Sequence, residues 1–396
     1  MKKMCFIVIL ALLFGAACEK TLPLAPAENE LLDGPVEDLS HDEQRRFLAG
    51  DVAFNDDVFT QATGLGPLFV STSCGSCHAG DGKGHPSTML TRFGQTDETG
   101  NQFLHLGGPQ LQHRSLPGFM PEQLPVGATF SKILPPANTG LGFLEMVPDA
   151  DLLAMADPDD ANSDGISGRP NWVNLSTYNT PRPDAQTQNG RYIGRFGKKA
   201  AVYDLLQQTA RAYNQDMGVT SFFEPFDTYS GVEIDPEVSN QTVQDVVFYL
   251  RTLKAPIPRK TTTPMVVAGK TLFEQIGCAK CHAPVLRTGP SPIAALAFRE
   301  IRPYTDLLLH DMGPELDDGY TEESAKTAEW RTPPLWGLGL SKNSQGGQYF
   351  LLHDGRAQSI EAAIGLHGGE GSQSRSAFQA LDATQKTQLI TFLESL

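Results

Sequence analysis

"CGSCHAG" at residues 74–80 and "CAKCHAP" at residues 278–284 are two copies of one pattern, Cys-x-x-Cys-His, about two hundred residues apart. They use four of the six cysteines in the chain: Cys74, Cys77, Cys278 and Cys281. Three chemistries use Cys-x-x-Cys. A thioredoxin-like pair needs a βαβ surrounding, a zinc site needs two pairs or added His ligands, and Cys-x-x-Cys-His attaches c-type haem. In the last case the thiols bond the porphyrin vinyl groups and the following His binds iron from the proximal side. Both copies end in His, His78 and His282. Two covalently bound haem c groups explain all six residues. One zinc site made of four thiolates leaves both histidines without a role.

The flanks repeat as well. Phe69 precedes Cys74 by five residues and Phe273 precedes Cys278 by five. "GLGPLFVSTSCGSCH" and "AGKTLFEQIGCAKCH" both read as a short helix running into the attachment site. That spacing resembles the first helix of c-type cytochromes, with the aromatic at the haem edge. "VVFYLRTL" (246–253) and "LITFLESL" (389–396) are both apolar at helical spacing and read as the terminal helix of each half. Ser40 and Glu43 form a capping box that opens a helix through Phe47. The expected fold is mainly α, with two tandem cytochrome c-like haem domains, long ordered loops and a large insertion in the first. The first domain covers 40–254, "APIPRKTTTP" (255–264) is the linker, and the second covers 265–396.

Ahead of these, Lys2 and Lys3 precede an apolar run from Met4 to Phe14 and the small residues Gly15, Ala16 and Ala17. That order reads as a signal peptide, residues 1–17. "GAAC" resembles the lipobox of bacterial lipoproteins, with Gly15 where Leu is usual; the expectation is a lipid anchor on Cys18 and a tether over 18–39, with a plain signal peptide as the alternative. The expected location is the periplasmic side of a Gram-negative envelope. Net charge is −15, which disfavours nucleic acid and suits docking to a basic electron donor, soluble or membrane-bound.

Function at each iron depends on the sixth ligand. His85, His105 and His113 follow the first attachment site, and "LLLHDMGPELDDG" offers His310 and Met312 in the second half. Met312 is the expected ligand of the second haem iron, with His310 as its alternative.

Longer segments carry a resemblance. "EWRTPPLWGLGL" (329–340) and "FLLHDGRAQSIEAAIGLHGGE" (350–370) are similar to the second-domain signature of the bacterial di-haem cytochrome c peroxidase superfamily. That group also includes the enzyme that matures a tryptophan-derived quinone. "GLGFLEMVPDADLLAMADPDDANSDGISGRPN" (140–171), "GRFG" (194–197), "DMGVTS" (216–221) and "YTDLLLHDMG" (304–313) resemble one branch of it. That branch is the di-haem oxidoreductase family, whose members are described as peroxidases and sometimes labelled thiol oxidoreductases. Members often have extra cysteines after the "DMG-TS" motif. This chain has none there, so the resemblance brings no dithiol chemistry.

The resemblance implies a peroxidase-type enzyme acting on a small oxidant, which needs an open iron, a proton-carrying group and a second haem that relays electrons. Glu145, set among apolar neighbours in "GLGFLEMVP", is the expected proton carrier, with Gln112 and His113 as second choices. Arg356 of "HDGRA" is expected to hold a haem propionate and Asp354 to brace the turn at Gly355. Trp330 and Trp336 read as packing or as an electron relay. "DANSDGISGRPN" (160–171) offers Asp160, Asn162 and Asp164 at positions 1, 3 and 5 of a calcium loop, and the Ile166 carbonyl at 7. Asn171 stands where a bidentate Glu belongs. Two rival readings remain: a di-haem electron carrier, and a haem-based redox or iron-supply accessory lipoprotein. The long stretch 79–235 exceeds what a simple carrier needs.

Overall fold

The computed structural model describes residues 27–97, 100–106 and 108–396. The expected signal segment and the anchor residue Cys18 lie outside the described residues. A short N-terminal unit ends at Leu31 and includes a 3-10 turn at Glu28–Glu30; residues 32–396 form one compact unit. Helix outweighs strand, 35% against 11%. Among the described residues no helix is long and apolar enough to cross a membrane.

The helices that shape the sites are α1 (His41–Asn55), α2 (Leu141–Glu145), α3 (Leu205–Met217), α4 (Asn240–Thr252), α5 (Pro264–Gln275), α6 (Ile360–Gly365) and α7 (Ala383–Ser395). The capping box at α1 forms: Glu43 N donates to Ser40 Oγ (3.3 Å) and Ser40 N to Glu43 Oε2 (2.9 Å). With both ends of the turn satisfied, α1 runs on past Phe47 to Asn55. It packs against α4, as α5 packs against α7.

Each crossing depends on a glycine. A Cβ on Gly50 of α1 would lie 2.1 Å from Asp245 O, and one on Gly269 of α5 would lie 2.1 Å from Gln388 O. Either Gly→Ala change would therefore push a helix pair apart. Aromatics fill the crossings, with Tyr249 meeting Phe47 (5.0 Å) and Phe54 (5.6 Å), and Phe273 meeting Phe392 (5.4 Å). Fully burying one such ring stabilises the fold by about 1.5–3 kcal/mol.

The sequence expectation fails on the approach to Cys74. Phe69 lies on β1 (Leu68–Phe69), paired antiparallel with β3 (Arg114–Ser115), rather than on a helix. Gly64 has φ +98°, Gly66 lies against the Gly218 carbonyl, and Pro67 follows; a helix cannot pass through such a run. The aromatic role passes to Phe54 of α1. Its ring sits 6.0 Å from His78 at 54°, and Phe273 sits 6.4 Å from His282 at 54°. The internal repeat thus survives in space, although the first copy separates helix and attachment site by about twenty residues.

Short antiparallel pairs complete the frame: β2 (Leu90–Phe93) with β4 (Phe130–Ile133), and β5 (Leu309–Asp311) with β6 (Glu329–Arg331). The β5–β6 register sets His310 opposite Trp330. Ion pairs Arg92–Glu322 and Arg169–Glu329 join residues on either side of 255–264.

Candidate haem sites

Around the first Cys-x-x-Cys-His an apolar-walled cavity of about 250 Å³ interrupts the packed interior. Cys74, Cys77 and His78 line it, together with Phe54, side chains of α3 and α4, and the run Pro333–Leu338 from the second half. Burial, followed by the charge of Lys198, pushes His78 down to about 4, so its imidazole is neutral and able to bind a metal. Its Nδ1 is buried without a hydrogen-bond partner. Burial holds Cys74 up at about 12, as a thiol. The four thiols are free and form no common cluster among the described residues, which removes the joint zinc site.

The same cavity gathers cations. Lys83, Lys198 and Arg331 all line it, and neither lysine ammonium has a hydrogen bond or ion pair among the described residues. Burial pushes Lys83 down to about 8, Arg331 to about 10, and Lys198 well below its ordinary value. Three positive charges facing one apolar cavity are costly unless an anionic group joins them. Haem fits that requirement: two thiols and an imidazole for attachment, a largely apolar space, and cations for its propionates.

A polar wall stands on another side. Arg92 pairs with Glu322 and donates from Nε to Tyr320 OH (3.1 Å). Gln110 Nε2 donates to Asp216, whose carboxyl burial raises to about 6. Arg92, Gln110, Gln215, Asp216 and Glu322 all line the cavity. No imidazole other than His78 does so among the described residues, and the one thioether, Met217, is packed in the core of α3 and α4.

The second site is built differently. His282 donates from Nδ1 to Tyr304 O (3.0 Å), and His367, just beyond α6, from Nδ1 to Ala363 O (2.8 Å). Each backbone bond fixes the tautomer that leaves Nε2 as the metal-binding lone pair. Burial lowers both, His282 to about 4, and His367 is close enough for its charge to lower His282 further. Both imidazoles would be able to hold a haem iron. His367 lies inside a segment that the sequence had already marked, yet its spacing from the attachment site gave no sign of ligation.

Several expected site residues lie elsewhere. Met312 packs against Ile133, Leu316 and Trp330, outside the apolar cluster that surrounds Cys278. His310 has both ring nitrogens engaged, Nδ1 with Glu370 (2.7 Å) and Nε2 with Asp306 (2.9 Å). Burial opposes its charge, but Asp306, Cys281 and Glu370 outweigh it and hold His310 up at about 12. A doubly donating imidazolium has no lone pair for iron.

Glu145 is buried at the end of α2 and does not line the cavity. Its oxygens accept from Arg251 Nε (2.6 Å), Arg251 Nη2 (3.2 Å) and Leu205 N (2.8 Å). Burial raises its pKa, but Arg251 and these bonds more than offset that, leaving it lowered. A carboxylate held this firmly is an anchor joining α2, α3 and α4. Gln112 is buried and donates to Gln215 O (3.0 Å), and His113 is exposed; neither lines the cavity. His85 bonds Ser87, and His105 is exposed.

Arg356 holds Asp354 (2.7 Å) and the Glu315 carbonyl (2.8 Å), so the propionate role moves to the cation cluster. The calcium loop is a set of Asx turns. Asp160 accepts from Asp164 N, Asn162 from Asp164 N, and Asp164 from Ile166 N and Lys280. Asn171 is fully buried and bonded to Lys199 O and Ser324, so it does not offer the bidentate ligand of position 12. Trp330 lies parallel to His353 (3.7 Å) with Lys199 over its ring (3.8 Å). Trp336 lines the first cavity, while its neighbours Leu335 and Leu338 touch both that cavity and the core of the second site.

Two Cys-x-x-Cys-His sites, one beside a cavity with a polar wall and the other with two buried imidazoles, define a di-haem redox protein. The chain belongs to the di-haem oxidoreductase family: the family model described as "Di-haem oxidoreductase, putative peroxidase" matches residues 132–396. Among solved structures, a hydrazine synthase chain from Kuenenia stuttgartiensis, pressurised with xenon, is 15% identical with a TM-score of 0.40, covering 95% of this chain and 94% of that one. A MauG-like protein associated with microbial copper homeostasis is 14% identical with a TM-score of 0.41, covering 95% of each chain. No curated protein matches the chain.

Proposed function

We propose that this protein is an exported c-type di-haem oxidoreductase that reduces hydrogen peroxide or a related hydroperoxide at the site of His78. Electrons come through the site of His282. The asymmetry of the two sites carries the reading. The first pairs one imidazole with a cavity and a polar wall, and the second has two buried imidazoles, His282 and His367, that would hold its iron. Haem bound at His78 would supply the electrophilic iron on which a peroxide bond can be reduced.

The chain's own residues do the rest. Lys83, Lys198 and Arg331 hold the propionates and fix the ring. Asp216, held near neutrality by burial and oriented by Gln110, exchanges the proton that the departing oxygen needs. Arg92, Gln215 and Glu322 place hydrogen-bonding groups on the cavity wall. The run Pro333–Leu338 touches both sites through Leu335 and Leu338, which makes Trp336 a better relay than Trp330, whose oxidation the overlying Lys199 cation opposes. Export, the anchor at Cys18 and an acidic surface that meets a basic electron donor complete the proposal on sequence grounds.

The test is steady-state peroxide reduction by natively exported, half-reduced protein, at two electrons and two protons per peroxide. Turnover that needs the half-reduced form supports the proposal. Absence of turnover in every redox state leaves an electron carrier.

A further inference from the structure

A second cavity, of about 260 Å³, adjoins the first. Gln110 and Gln215 line both, so an amide wall is shared between them. The inner surface of the second cavity is polar, with Gln112, Glu122, Asn214, Asp227 and Thr228 around it and no Lys or Arg among the lining residues. Thr228 Oγ1 is buried there without a hydrogen-bond partner. Such a chamber accepts neutral hydrogen-bonding groups and disfavours anions.

Its mouth has the opposite character. Phe226 lines the cavity while 55% exposed, on a hairpin closed by Asp227 N to Val232 O (2.9 Å) and Gly231 N to Asp227 O (2.8 Å). The same hairpin exposes Tyr229 and Val232. Tyr229 meets Phe119 edge-on at 5.1 Å, and Met120 beside Phe119 is 80% exposed. Exposed apolar side chains gathered beside a polar pocket are a mark of a binding site.

We infer that this chamber admits an organic hydroperoxide, its O–O–H head at the Gln110–Gln215 boundary that lines both cavities and its hydrocarbon tail on Phe226, Tyr229, Phe119 and Met120. The inference rests on the reading given under Proposed function and names the substrate class for that site. The balanced reaction is ROOH + 2 e⁻ + 2 H⁺ → ROH + H₂O. The O–O bond breaks, the electrons come from the one-electron donor protein, and the oxygen bearing the carbon leaves as alcohol.

The experiment uses natively exported holoprotein and compares cumene hydroperoxide with hydrogen peroxide. It also measures binding of cumyl alcohol, the unreactive product, by calorimetry. The double variant Phe226→Ser/Tyr229→Ser alters exposed rings only, so the fold should persist, and each half of the pair is also made singly. Wild-type protein should show kcat/KM about tenfold higher for the organic substrate and should bind cumyl alcohol. The double variant should lose about tenfold in both, through KM rather than kcat, with hydrogen peroxide kinetics within about twofold of wild type. No cumyl alcohol binding, a preference for hydrogen peroxide, or equal losses on both substrates would overturn this inference and leave the peroxidase reading standing. Turnover of neither hydroperoxide would overturn both.

Discussion

Glu145→Gln separates two roles for one buried carboxylate. In the structure both oxygens are engaged, three hydrogen bonds arrive from Arg251 and Leu205 N, and 1% of the residue is exposed. Glutamine keeps the shape and one acceptor, but its amide N–H₂ faces the Arg251 guanidinium, donor against donor. Breaking a buried ion pair from one side costs about 3–5 kcal/mol. The Arg251 side chain is 29% exposed and recovers some hydration, so a loss of about 2–3 kcal/mol is expected.

The sign with pH follows from the lowered Glu145 pKa. The folded carboxyl ionises below its unfolded value of 4.5, so the stabilisation is full above about 4.5 and fades as pH falls through the folded value. Urea unfolding of holoprotein at pH 7 and at progressively lower pH should therefore show wild type and variant converging in acid. Peroxide turnover per folded haem should stay within about twofold of wild type. A turnover loss of about a hundredfold or more at unchanged stability, the range for a general acid–base group, would refute the anchoring role and restore Glu145 as the proton carrier.

At the second site, His367→Ala should convert that haem to a high-spin or water-ligated spectrum with the first unchanged, whereas Met312→Ala should leave both spectra intact; optical and magnetic spectra decide. Lys83→Met removes one cation facing the first haem, so a redox titration should show the potential of that haem alone fall. Equal shifts in both haems would contradict a propionate-binding role for Lys83.

What the sequence disclosed was local. Cys-x-x-Cys-His, the Ser40–Glu43 box and the two terminal helices are written within a turn or two of chain, and each is found in the structure. The features missed are those assembled from distant segments. Phe54 takes the place expected of Phe69 because a loop and a β-pair separate α1 from its attachment site. Glu145 read as a desolvated acid because its partner Arg251 lies 106 residues away. Lys83, Lys198 and Arg331 have no common motif and meet only in the folded cavity.

Other features misled for the same reason. Alternating Asp and Asn residues at 160–164 read as a calcium loop, but Asn171, at the closing position, is drawn into bonds with Lys199 O and the distant Ser324. Met312 sat at a plausible distance along the chain, but just past the end of β5 it packs into the cluster of Trp330. His367 could have been noticed from its place at a helix end, where an imidazole reaches back to the carbonyl four residues earlier.

The central claim is that the His78 iron is open and the His282 iron is closed by a second imidazole. The most direct test is low-temperature EPR with optical spectra on natively exported, oxidised wild-type protein, before and after adding cyanide. The account predicts one high-spin ferric signal that cyanide converts, one low-spin bis-histidine signal that it does not, and no methionine-to-iron charge-transfer band. Two low-spin signals insensitive to cyanide, or a charge-transfer band from Met217 or Met312, would contradict it.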